Sequence, residues 1–141
     1  MDLTESERAI WHDWKRAGEN VLARVGRDIA EATGLSGSDY GVVSRLDELG
    51  NGKLRQQELA SSMGWDKSRL SHHLTRMEER GLVTRELVGR AVNIALTREG
   101  RKLLGLARPV HAASIRKHLL AHVGAKQLSV FADVIGRLAE G

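Results

Sequence analysis

The residues that could do chemistry cluster in one short stretch: Lys67, Ser68, Arg69, Ser71, His72, His73 and Arg76. All can donate hydrogen bonds, and three are always cationic. On a helix bearing Leu70, Leu74 and Met77 as its apolar stripe, they fall on the remaining faces. Arginine can fork onto the O6 and N7 edge of guanine or onto phosphate, and serine and histidine can donate to either. Lys67 and Ser68 lie in the first turn, where the helix dipole favours an anion. A solvated amphipathic helix would look similar, so the surrounding elements must decide.

Other chemistry is poorly supported. The chain has no cysteine, hence no thiolate nucleophile, disulfide framework or Cys-type metal site. It has no Gly-rich phosphate loop and no Ser/His/Asp arrangement with supporting context, so no enzyme activity and no cofactor is expected. His118 and His122 have the i, i+4 spacing of a two-histidine metal site, with His111 a heptad earlier. No carboxylate accompanies them in sequence, and no metal is expected. His72 and His73, if exposed, would titrate near neutrality and strengthen binding to an anion at mildly acidic pH.

Charge distribution supports a polyanionic partner. The formal net charge is +4. Residues 53–102 hold 11 Lys/Arg against 6 Asp/Glu, net +5, whereas the rest hold 11 against 12, net −1. The excess lies in the middle of the chain, as a nucleic-acid footprint requires. No apolar run approaches the roughly 20 residues that span a bilayer. The N-terminus lacks a signal peptide's basic start and apolar core, so a cytoplasmic protein without a membrane partner is expected.

The elements that must position these groups can be read along 141 residues, a length suited to one domain. Thr4 and Glu7 form a capping-box pattern opening a helix over 4–33, with Trp11, Trp14, Val21, Leu22, Val25 and Ile29 at helical spacing. Such a helix is about 45 Å long, more than a small domain can cover, so part of its stripe should meet another chain. After Gly34, Ser38 can cap a helix ending near Gly50, and Asn51-Gly52 makes a turn. A short helix over 55–63 buries Leu59, Ala60 and Met63. Gly64-Trp65-Asp66 breaks it, with Trp65 covering the core between helices, and Asp66 caps the polar helix over 67–80. Residues 82–88 and 91–96 read as a hairpin turned by Gly89-Arg90. Thr97 caps a further helix that Pro109 should kink or interrupt. Gly124 separates a last helix over 125–140, with Leu128, Phe131, Val134, Ile135 and Leu138 on its apolar face.

Two short helices joined by a Gly-containing turn and followed by a hairpin make a winged helix-turn-helix, an α+β chain that is mainly α with a small β-hairpin. In such proteins the second helix enters the major groove. Three runs carry a closer resemblance: Leu54-Arg55-Gln56-Gln57-Glu58-Leu59-Ala60; Trp65-Asp66-Lys67-Ser68; and Leu74-Thr75-Arg76-Met77-Glu78-Glu79-Arg80-Gly81-Leu82-Val83. With Arg90-Ala91-Val92 and Ala95-Leu96-Thr97-Arg98-Glu99-Gly100-Arg101, they resemble the multiple-antibiotic-resistance regulator (MarR) family over nearly the whole chain.

The resemblance implies a transcriptional regulator, commonly a repressor. It implies a homodimer joined through long N- and C-terminal helices (4–33 and 98–141), with residues 36–97 reading a pseudo-palindromic double-stranded DNA operator. The implied DNA-binding residues are Arg55, Gln56, Lys67, Ser68, Arg69, Ser71, His72, His73, Arg76 and Arg90. Arg90 is kept although Gly89 stands where the family usually has an Asp and the wing is short. The resemblance also implies relief by a small aromatic or anionic effector, for which Trp11, His12, Trp14 and His111 are candidates. The alternatives are a ligand-independent DNA-binding dimer and a regulator controlled by a protein partner.

Overall fold

The first helix, α1 (Glu5–Thr33), starts as the sequence predicts: the Thr4 hydroxyl accepts from the Glu7 amide at 3.1 Å, and the Glu7 carboxylate accepts from the Thr4 amide at 2.8 Å. It ends at Gly34, whose φ of 79° is left-handed. The computed structural model describes all of residues 1–141. Helix α2 (Gly37–Gly50) is capped by Ser36 rather than Ser38, because Ser36 has Asp39 three residues on and the pair closes a second capping box. Asn51 and Gly52, both at positive φ, turn the chain back.

A strand not expected from the sequence follows, β1 (Lys53–Arg55). It precedes α3 (Gln56–Met63) and α4 (Lys67–Glu79), which Asp66 caps by accepting from the Arg69 amide at 2.8 Å. Strands β2 (Val83–Val88) and β3 (Ala91–Leu96) form the wing, and β1 adds to β3 with Leu54 opposite Ile94. The sheet is therefore three-stranded and antiparallel in the order β1-β3-β2, not a lone hairpin. Gly89 (φ 63°) followed by Arg90 at negative φ gives the II′-like two-residue turn that suits a right-twisted hairpin.

Helix α5 (Arg98–His118) runs through Pro109 without interruption. The carbonyl deprived of its partner belongs to Gly105, and both residues are exposed, so water can take the bond. The helix stops instead at Leu119, followed by a 3-10 turn (Leu120–His122) and then α6 (Leu128–Glu140), which begins three residues later than expected. The intervening turn is closed by the Gln127 side chain accepting from the Gly124 amide at 3.2 Å.

One core joins these elements. Leu70, Leu74 and Met77 of α4 are fully buried with Val42, Val43 and Leu46 of α2, Leu59 of α3 and Ile94 of β3. The C-terminal part of α1 and the first half of α5 close it through Val25, Ile29, Leu104 and Ala107. The far half of α1 and all of α6 stay outside: Ile10, Trp11, Trp14 and Leu22 are exposed, and α6 buries no residue. The wing is tied to α5 at one close approach. Thr97 donates to the Gly81 carbonyl at 2.6 Å, and a Cβ on Gly100 would strike the Leu82 carbonyl oxygen. Gly100→Ala should therefore lower unfolding stability by about 1–3 kcal/mol by overpacking, although alanine is the better helix former. Denaturant unfolding would show this as a lower midpoint.

Candidate nucleic-acid interface

Helix α4 presents one polar side. Lys67, Ser68, Arg69, His72 and Arg76 are exposed and Ser71 is half-buried. At its N-terminal end a cavity of about 260 Å³ is lined by Arg55, Gln56 and Gln57 of the β1–α3 segment, Lys67 of α4, and Arg90 and Ala91 of the wing. Three of its lining residues are cationic and none is acidic, so its field suits an anion. Residues from three separate segments (Arg55 and Gln56, Lys67, and Arg90) are thus brought to one concave surface by the β1–β3 pairing and the hairpin turn.

His73 departs from expectation. It is not on the outer face but 9% exposed, with Nε2 2.9 Å from Asp39 Oδ1. The Arg76 guanidinium reaches its Nδ1 at 3.3 Å. Arginine can only donate, so Nδ1 accepts and the imidazole is neutral with its proton on Nε2, facing Asp39. Burial pushes the His73 pKa below the ordinary 6.5, and the neighbouring Arg76 and Arg80 charges push the same way; the Asp39 carboxylate pulls against them and loses. His73 is therefore buried and harder to protonate than a surface histidine, and it is not part of the polar face of α4.

Asp39 itself is 2% exposed. Its Oδ2 accepts from the Ser36 amide at 2.9 Å and from Arg80 Nη1 at 2.7 Å. Burial alone would raise its pKa, but the Arg80 and Ser36 hydrogen bonds and the Arg80 charge together hold it below the usual 3.8. Arg80 also donates to the Gly34 carbonyl at 3.1 Å, so the end of α4 is fastened to the α1–α2 corner.

Arg85 fastens the wing to the same helix. It donates to Thr75 Oγ1 at 2.8 Å, to Glu78 Oε1 at 3.2–3.3 Å and to the Ser71 carbonyl at 3.4 Å. The sequence reading missed Asp39, Arg80 and Arg85. Two signals were present: Ser36 and Asp39 have capping-box spacing, and Arg85 shares the inward period of β2 with buried Val83. Trp65 covers the core edge as expected, and its ring also takes the Arg69 guanidinium at 3.9 Å from its centroid.

The four effector candidates do not converge within one chain. His111, on α5, stacks on Tyr40 of α2 with ring centroids 4.5 Å apart. Helices α1 and α5 pack antiparallel, with Asp28 against Ser114 and His118, and Ala17 near His122. Trp11, His12 and Trp14 therefore lie toward the far end, on the order of 25 Å along α1 from the level of His111. His118 is engaged by Asp28 at 3.0 Å, and no three His, Cys, Asp or Glu side chains are placed to hold a metal ion. No helix is long and apolar enough to cross a membrane.

The three-stranded sheet beside α3 and α4 defines a winged helix-turn-helix protein. A domain of unknown function, DUF7343, matches residues 35–97, and no curated protein matches the chain. Solved structures match over its whole length. The MarR family transcriptional regulator AbsC from Streptomyces coelicolor is 29% identical, with a TM-score of 0.90 over 99% of this chain and 96% of that one. Sco3205 from the same organism, a MarR family regulator in complex with DNA, is 28% identical at TM-score 0.91 over 100% and 91%. CouR from Rhodococcus jostii RHA1, bound to p-coumaroyl-CoA, is 29% identical at TM-score 0.75 over 92% and 91%. The resemblance read from the sequence is thereby confirmed: the chain is a winged helix-turn-helix similar over nearly its whole length to MarR family transcriptional regulators.

The titrations give stability a defined pH dependence. An unfolded histidine takes up its proton near 6.5, whereas buried His73 and half-buried His111 both resist protonation because the fold withdraws them from water. The unfolded chain binds more protons below that pH, so stability falls as pH drops from about 6.5. A second decline should follow below about 3.8, as Asp39 and Asp28 lose charges that the fold stabilises. Thermal unfolding across pH 3–8 should show both limbs, and His73→Gln should flatten the upper one.

Proposed function

We propose that the chain is a sequence-specific double-stranded-DNA-binding transcriptional regulator, a cytoplasmic homodimer without enzymatic activity. The observation that carries this reading is the joining of the exposed face of α4 to the basic cavity of Arg55, Gln56, Lys67 and Arg90. In the proposed complex α4 enters the major groove, Arg69 and Arg76 address base edges, and Ser68, Ser71 and His72 supply further donors. Arg55, Lys67 and Arg90 hold phosphates along the cavity, with Arg90 at the wing tip reaching toward the minor groove. A MarR family relative solved with DNA supports this reading.

The whole chain, 1–141, acts as one domain in which 36–97 binds DNA and 4–33 with 98–141 pair two subunits. The support for pairing is the uncovered apolar surface: Ile10, Trp11, Trp14 and Leu22 on α1, and Leu128, Val130, Val134 and Leu138 on α6. Monomeric proteins seldom leave such contiguous patches in water. Two-fold symmetry then matches a pseudo-palindromic operator. Repression relieved by a small aromatic or anionic molecule completes the proposal, supported by the relative bound to p-coumaroyl-CoA. His111 on Tyr40, at the contact of α5 with α2, is where such a ligand would act on the DNA-binding region. Trp11 and Trp14 fit the subunit contact better.

Binding of the purified protein to the DNA upstream of its own gene, titrated with salt, tests this reading. One dimer per site should bind, weakening steeply as salt rises. Arg69→Ala or Arg76→Ala should lose about 10- to 100-fold in affinity for that site, and an aromatic acid that binds the protein should release the DNA. Weak binding indifferent to sequence would contradict the proposal.

A further inference from the structure

A helix that reads bases needs its long side chains held in place, because ordering a free arginine costs rotamer entropy. In α4 the two arginines best placed to read bases are each held by a ring. The Arg69 guanidinium lies over the Trp65 face, 3.9 Å from its centroid, and forms no hydrogen bond within the chain. Arg76 gives one N–H to His73 Nδ1 at 3.3 Å and keeps its others free. The two rings touch: Trp65 and His73 meet edge to face at 5.4 Å and 84°. His73 is fixed in turn by the buried Asp39, which also takes Arg80. The result is a continuous chain, Arg69–Trp65–His73–Arg76, anchored in the core at one point and ending in two partly free guanidinium groups.

We propose that Trp65 and His73 form a single positioning unit that sets the aim of Arg69 and Arg76, and that this unit, not the arginines alone, determines which base pairs the protein selects. The inference rests on reading α4 as the helix that enters the major groove. Its physical content is pre-organisation. A guanidinium stacked on an indole keeps its N–H edge pointing outward in the plane of the ring, the presentation that a fork onto guanine uses. Neither ring needs to touch DNA. Trp65 lies in the turn before α4, is half-buried against the core, and carries the Arg69 guanidinium over its ring. Non-specific affinity depends on charge rather than aim, so it should not respond to the loss of either ring.

The test uses the full-length protein and a duplex selected from a random-sequence library by the wild type, with a scrambled duplex as control. The readout is the ratio of the two affinities. Trp65→Leu should lower that ratio by about three- to tenfold, the order of a cation–π contact, and leave affinity for the scrambled duplex and its salt slope unchanged. Trp65→Phe, which keeps an aromatic face, should recover part of the loss. On an Arg69→Ala background Trp65→Leu should lose nothing further, because the two act through one contact. Where Trp65→Leu fails to fold, multiply fluorinated tryptophan gives the same test at unchanged packing. The ratio should then fall with each added fluorine, since the other two tryptophans, Trp11 and Trp14, lie on α1.

Full selectivity in Trp65→Leu or in the fluorinated protein, or independent losses from Trp65→Leu and Arg69→Ala, would overturn the positioning unit and leave DNA reading intact. A wild type that selects no sequence, or full selectivity in Arg69→Ala, would instead overturn the reading of α4 on which the inference stands.

Discussion

The carboxylate of Asp39 is the constraint on which the half of the molecule that carries α4 depends. It sits almost fully buried, where an ionised group is costly unless its lone pairs are filled. Here Oδ2 takes hydrogen bonds from the Ser36 amide at the start of α2 and the Arg80 guanidinium at the end of α4, while the His73 ring in the middle of α4 lies 2.9 Å from Oδ1. Helix α4 could otherwise slide or rotate on its leucine stripe, because apolar contacts are strong but not directional. The carboxylate supplies the direction: His73 faces inward, so Arg69, His72 and Arg76 face outward. Removing one partner of such a group leaves the others buried and unpaired, so each depends on the rest.

The molecule divides into a part that is complete and a part that is not. From Leu35 to Leu104 nearly every large apolar side chain that faces inward is buried, and the wing is tied back by Arg85 and Thr97. Beyond this core, α1 and α6 carry apolar surface out into water, together with a groove lined by Val21, Phe131 and Val134. A fold that spent tryptophans on an exposed helix for no purpose would carry an aggregation hazard. Two copies that cover each other's stripes remove it, and the same pairing would set the spacing of two α4 helices on DNA.

Much of this was legible in the residues, for reasons that also explain what was not. The capping box of Thr4 and Glu7, the Asp66 cap and the Leu70, Leu74 and Met77 stripe are local patterns, and each appears where expected. The Gly89-Arg90 turn is local too. Strand β1 is three residues long and exists only because it pairs with residues about forty positions later, so no local periodicity marks it. His73 reads as surface because polar residues flank it on α4, and only the distant Asp39 explains its burial. Pro109 carries a strong helix-breaking prior, yet both it and Gly105 face solvent and the break does not occur. The polar set on α4 and the wing could be named because its residue types suit DNA reading, and all of it but His73 lies at the surface, whereas the effector set joined residues that antiparallel helices carry apart within one chain.

The central claim is that α4, the β1–α3 segment and the wing tip together form the surface that meets DNA. Amide hydrogen exchange of the protein, free and bound to its selected duplex, tests this most directly. Slowed exchange concentrated at the start of α3, at residues 67–76 of α4 and around Gly89-Arg90 is the predicted result. Slowing confined to α1 and α6, with α4 and the wing unchanged, would contradict it.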